Sequence, residues 1–157
     1  MKKKRVVIIS LLLLIVSVIG ISSYFLFKDK INLLDVDHSA VDWNGKKQKD
    51  TSGEENTIAI PGFEKVTLYA NETTQAVNFH NPEINDCYFK ISLIHPDGSV
   101  LWISDLIEPG KGMYSIELEK TLAVGEYENA VLKYECFSLN DQSPLNGSEI
   151  NLKLVVV

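Results

Sequence analysis

Apolar positions fall into two regimes along the chain. Residues 6–27 form an uncharged run of 22 positions, whereas from residue 57 onward apolar and polar residues alternate in short segments divided by turn formers. A hydrocarbon layer about 30 Å thick needs about 20 apolar residues at helical rise, so the first regime predicts one membrane-spanning helix. Its polar members Ser10, Ser17, Ser22 and Ser23 can return their hydroxyls to backbone carbonyls. The second regime predicts strands over residues 58–60, 65–70, 74–80, 86–94, 100–104, 113–119, 127–138 and 149–157. Pro61-Gly62, Asn81-Pro82, His95-Pro96-Asp97-Gly98 and Pro109-Gly110 mark the breaks between them. No segment of this region repeats at 3.6 residues, so it reads as all-β.

Side chains alternate across a sheet, which assigns faces. Cys87, Phe89, Ile91 and Leu93 share one face against Tyr88, Lys90 and Ser92. Ala130, Leu132, Tyr134 and Cys136 oppose Val131, Lys133, Glu135 and Phe137. Tyr114, Ile116 and Leu118 oppose Ser115, Glu117 and Glu119, and Ile150, Leu152, Leu154 and Val156 oppose Asn151 and Lys153. Strands with one apolar face bury it against a second sheet, and residues 57–157 suffice for one such sandwich. The outward face carrying Tyr88, Val131, Phe137 and Val155 is unusually apolar. It is either a protein interface or a surface covered by another part of the chain.

Charge sets the topology. Residues 1–5 carry four positive charges before the apolar run, against Lys28 and Lys30 after it, offset by Asp29. The excess of cations places the N-terminus in the cytoplasm and the C-terminal domain outside. Residues 28–56 read as a polar extracellular stalk, because 44–56 contains no apolar side chain to bury. The competing reading is a signal peptide cleaved near Gly20, which would release a soluble secreted module. Beyond residue 30 the chain has nine lysines and no arginine against twenty carboxylates, a formal charge of −11. Such a surface repels phosphate backbones, so no nucleic-acid partner is expected.

Two resemblances carry the reading further. The segment Leu122-Ala123-Val124-Gly125-Glu126-Tyr127 is similar to the approach to the sixth strand of immunoglobulin-like domains, where a tyrosine ties down the preceding loop. Tyr134-Glu135-Cys136, with Trp102 between the two cysteines, resembles the Tyr-x-Cys of antibody domains. The stretches IPGFEKVTLYA, NFHNPEINDCYFKISL, LIEPGKGMYSIEL, GEYENAVLKYECFS and PLNGSEI resemble a family of small signal-anchored proteins of Gram-positive Firmicutes with no assigned activity. These resemblances imply an immunoglobulin-like antiparallel β-sandwich and an envelope setting.

In such a sandwich the third strand (86–94) and the sixth (127–138) are antiparallel neighbours, which brings Cys87 near Cys136 on core faces. The pair is either a disulfide, permitted outside the membrane, or two buried thiols. The same topology puts two loops, 81–86 and 140–147, at one end as candidate interaction surfaces, with Asn81, Pro82 and Asn85, and Asn140, Asp141, Pro144, Leu145 and Asn146 singled out. His38, His80 and His95 are scattered without metal-ligand spacing, and no nucleophile elbow, phosphate loop or dinucleotide fingerprint occurs. No metal, no cofactor and no catalysis are therefore expected, and an enzyme with a dispersed site is the minor alternative. The expected function is a non-catalytic binding or structural module held at the cell membrane. It would act with a protein partner of the envelope, as an accessory subunit of a larger envelope or transfer complex.

Overall fold

Strands form where the alternation predicts them, and the computed structural model describes residues 33–45 and 57–157. The expected basic segment 1–5, the span 6–27 and most of the polar run 44–56 lie outside the described residues. The strands are β1 (Val41–Asp42), β2 (Lys65–Leu68), β3 (Thr74–His80), β4 (Cys87–Ile94), β5 (Val100–Ile103), β6 (Lys111–Glu117), β7 (Gly125–Ser138) and β8 (Pro144–Val156). They make a three-stranded sheet in the order β1-β6-β3 and a five-stranded sheet in the order β2-β8-β7-β4-β5. The described residues are all-β, in two sheets that fit a β-sandwich.

One core joins the sheets. Phe89, Ile91, Leu93, Leu132, Tyr134 and Leu154 of the larger sheet are buried with Phe79, Met113 and Ile116 of the smaller. Burying each such side chain contributes about 1.5–3 kcal/mol. Phe79 sits at the seam, its ring 5.8 Å from Trp102 and 5.4 Å from Phe63. The faces assigned to β4 and β7 hold: Cys87, Phe89, Ile91, Leu93, Ala130, Leu132, Tyr134 and Cys136 are all buried. β4 and β7 pair antiparallel with Cys87 opposite Ser138 and Phe89 opposite Cys136. Tyr127 Oη donates to the carbonyl of Ala123 at 2.9 Å, tying down the loop before β7 as its sequence setting suggests.

Several expectations are corrected. Residues 34–45, read as part of a stalk, belong to the β domain: Leu34–Val157 forms one compact unit. Gln142 acts as a surrogate strand for Leu34, accepting from its N–H at 2.6 Å and donating to its carbonyl at 3.0 Å. Val36 then bridges to Leu106, and Val41–Asp42 pairs with Gly112 and Lys111. A short segment can dock in this way because β6 offers an open edge whose backbone groups require partners. The sandwich is not wholly antiparallel, since β2 runs parallel to β8. There Lys153 N–H donates to Glu64, and Val157 and Leu68–Ala70 exchange rungs that close the edge of the sheet.

Parity also fails locally. Pairing of β3 with β6 slips between Ala76 and Phe79, and opposite that slip Met113 turns inward while Tyr114 turns out to solvent. Ser92, assigned to the wet face, is covered. Residues 58–60 form no strand, and β8 starts at Pro144, so the loop expected over 140–147 is shorter. β8 accommodates its early start through a register shift opposite Tyr134 and Cys136. Gly147 makes this possible, because a Cβ there would stand 2.3 Å from the Tyr134 carbonyl oxygen.

Candidate functional site

The register places the starts of β4 and β8 and the ends of β3 and β7 at one end of the sandwich. The loop of residues 81–86 dominates that end, and its conformation is set from inside by two asparagines. Asn81 is fully buried and Asn85 nearly so. Asn81 Nδ2 donates to the carbonyls of Cys87 at 2.8 Å and Ile107 at 2.9 Å. Asn85 Nδ2 donates to Asn81 Oδ1 at 2.8 Å and to the Ala59 carbonyl at 3.0 Å, while Asn85 Oδ1 accepts from Ala59 N–H at 2.8 Å. The Asn81 backbone extends the β3–β6 ladder through Lys111 and Gly110, and Asn85 N–H closes a turn onto Pro82. Buried amides are tolerated only when satisfied, and here each polar side-chain atom has a partner.

This internal lattice turns the tip outward. Glu83 and Ile84 project to solvent, Ile84 with 67% of its surface exposed. A lone β-branched residue held out on a hydrogen-bonded loop loses little entropy on being covered. Ile84 also forms a wall shared by two hollows. One, of about 540 Å³, is lined by Asp42, Trp43, Pro61, His80, Glu83 and Pro109 among others. The other, of about 680 Å³, includes Ile58, Asn85, Asp86, Leu145 and Asn146.

The first hollow is floored by the 41–45 strap. Trp43 lies flat on His80, with ring centroids 3.8 Å apart and planes 9° from parallel. Its indole N–H donates to Asn78 Oδ1 at 2.7 Å, and its backbone N–H donates to the Gly110 carbonyl. Gly112 lacks a side chain where Trp43 crosses it; a Cβ would meet the indole at 2.8 Å. Tyr114 Oη accepts from Asn44 N–H and donates to Asn44 Oδ1. Lys111 Nζ contacts Asp42 at 2.6 Å, and this hydrogen bond and charge hold the Asp42 carboxyl below its usual range and the Lys111 ammonium above.

The nominated residues are therefore divided. Asn85, Leu145 and Asn146 do meet around one hollow, and Pro82 lines the other. Asn81 and Asn85 are both buried and hold the loop from inside, Asn85 also lining the second hollow. Asn140 and Asp141 flank Gln142, whose side chain is already taken by Leu34, and Asp141 is occupied by Ser143. Pro144 pairs opposite Phe137 within β8. Trp43 was missed as a contact candidate, and Glu83 and Ile84 were included only as members of the loop 81–86 without being singled out. The available signals were an aliphatic residue within a polar loop and a tryptophan beside a run with no apolar residue.

Cys87 and Cys136 are diagonal neighbours on the core face, both present as thiols and both buried. They share a hydrogen bond, so the Cys87 thiol is held below the ordinary range. That same bond and burial push Cys136 well above it. Burial alone raises the Tyr134 phenol. Among the described residues no group of three or more His, Cys, Asp or Glu side chains is placed to hold a metal ion. No protein-family model, no curated protein and no solved structure matches this chain.

Proposed function

We propose that the chain is a non-catalytic binding module of the cell surface. In this reading it is anchored by residues 6–27 with its N-terminus in the cytoplasm, and its β domain faces outward in the envelope of a Gram-positive cell. The domain is an immunoglobulin-like sandwich: β3 beside β6, and β4 beside β7 beside β8, reproduce neighbour relations of that fold, and Tyr127 occupies its tyrosine corner. The domain docks a protein partner through the ridge at residues 81–86. The observation that carries this reading is the exposed Ile84 at the tip of a loop fixed by the buried Asn81–Asn85 amides. Interfaces draw most of their energy from a few anchors on preorganised elements.

Pull-down from solubilised membranes tests it. The wild-type chain should retain a specific envelope protein, Ile84→Asp should lose it, and Thr67→Asp should not. Retention by Ile84→Asp would refute the ridge. In fractionation the full-length chain should resist a carbonate wash, and a mature chain in the medium beginning near Ile21 would refute the anchor.

A further inference from the structure

The hollow floored by Trp43 has a chemistry of its own. Its volume, about 540 Å³, falls in the range of ligand clefts. Pro61, Pro82, Pro109, Ile84 and Trp43 give it stiff apolar walls, and its charged lining residues, Asp42 and Glu83, are both carboxylates. Asp42 is matched by Lys111, but Glu83 has no ion-pair partner among the described residues. The chain beyond residue 30 has the same sign, with nine lysines and no arginine against twenty carboxylates.

We infer that this cleft receives a short cationic segment of the docking partner, a lysine or arginine flanked by aliphatic residues. This rests on the reading of the domain as a protein-binding module and names the chemistry of the partner. The aliphatic neighbours lie on the proline and tryptophan surfaces while the cation reaches Glu83 at the rim. A long basic side chain suits such a site because its methylenes cover apolar surface and its head stays at the edge. A saccharide would need a dense set of open hydrogen-bonding groups. Here the Trp43 N–H is committed to Asn78, Asn44 Oδ1 to Tyr114 and Asp42 to Lys111, and one face of Trp43 is taken by His80.

The test presents the full-length chain in detergent micelles to a positional-scanning hexapeptide library and, separately, to oligomers of N-acetylglucosamine. Retained peptides should favour Lys or Arg next to Leu, Ile or Val. Glu83→Lys, an exposed change that leaves the circular dichroism unaltered, should weaken their binding at least tenfold. The inference is overturned if no cation preference emerges, if Glu83→Lys binds the selected peptides as well as wild type, or if the oligosaccharide binds and the peptides do not. Those outcomes leave the dependence of partner capture on Ile84 intact, so this inference and the docking ridge fail separately.

Discussion

The side-chain amide of Asn85 pairs with both backbone groups of Ala59, accepting from its N–H at 2.8 Å and donating to its carbonyl at 3.0 Å. It replaces one residue of a strand and fastens the segment entering the domain to the loop that carries Ile84. Replacing it by Ala would strand buried donors and acceptors, at about 1–3 kcal/mol for each unsatisfied group. Asn85→Ala should therefore lower the unfolding free energy by about 2–4 kcal/mol in urea titration. Asn85→Asp should also destabilise, because it keeps the acceptor for Ala59 N–H but removes both donors.

Gly147 and Gly62 make opposite predictions. A Cβ at Gly147 would collide with the Tyr134 carbonyl, whereas one at Gly62 meets nothing within 4 Å. Gly147→Ala should cost about 1–3 kcal/mol, the range for overpacking, and Gly62→Ala should be close to neutral. Thermal melts of the two variants check this directly.

The strap alters where the folding unit begins. A fragment of residues 34–157 should melt higher than one of residues 57–157, which would expose the edge of β6 and lose the stacking of Trp43 on His80. Trp43→Ala in the longer fragment should remove about 2 kcal/mol, below the cost of a fully buried tryptophan because the ring is half-exposed. Equal stabilities for the two fragments would show that the strap contributes nothing.

The touching thiols of Cys87 and Cys136 should resist alkylation in the folded protein and react once it unfolds, because both are buried. A thiol oxidant should close a bridge between them, giving a mass lower by two hydrogens without unfolding. Replacing both by Ala should cost a few kcal/mol, from lost packing.

Acid should lower the stability of the domain. Asp42, Asp97, Glu117, Glu126 and Asp141 are each held below the ordinary carboxyl range, by the Lys111 hydrogen bond for Asp42, the Lys153 hydrogen bond for Glu126 and hydrogen bonds from serine or threonine for the others. A depressed carboxyl contributes stability that is present above its unfolded pKa and lost as pH falls through the folded one. Unfolding free energy should thus be level above about pH 5 and decline below about pH 4. Asp42→Asn should make that decline shallower. At the alkaline end the sign reverses for Tyr134, whose raised pKa contributes stability that is full below about pH 10 and is lost as pH rises beyond it toward the folded value.

How much of this was legible follows from range. β3 occupies residues 74–80 as the alternation predicts, and the buried faces of β4 and β7 follow from parity, because period-two burial is a local signal. The strap was not legible: two strand residues carry no periodicity, and their pairing depends on Gly112 and Lys111, far along the chain. Tyr114 defeated parity because a slip on β3 redirected β6, and the parallel pairing of β2 leaves no trace in either strand's pattern. Asn81 and Asn85 were read correctly as loop residues but with the wrong direction. Asparagine marks a turn whether its amide meets solvent or substitutes for missing backbone, and only the neighbours Ala59, Cys87 and Ile107 distinguish the two.

The docking ridge is the central claim, and site-specific photocrosslinking in intact cells tests it most directly. A photoreactive phenylalanine analogue would replace Ile84 in one strain and Thr67 in another. Thr67 is exposed on β2 and lies, through Val155 and Glu126, at the opposite end of the sheet. Irradiation should give a discrete adduct of one mass from position 84, absent from position 67 and lost when the partner's cationic segment is supplied as free peptide. The same adduct from both positions, or from position 67 alone, would contradict the account.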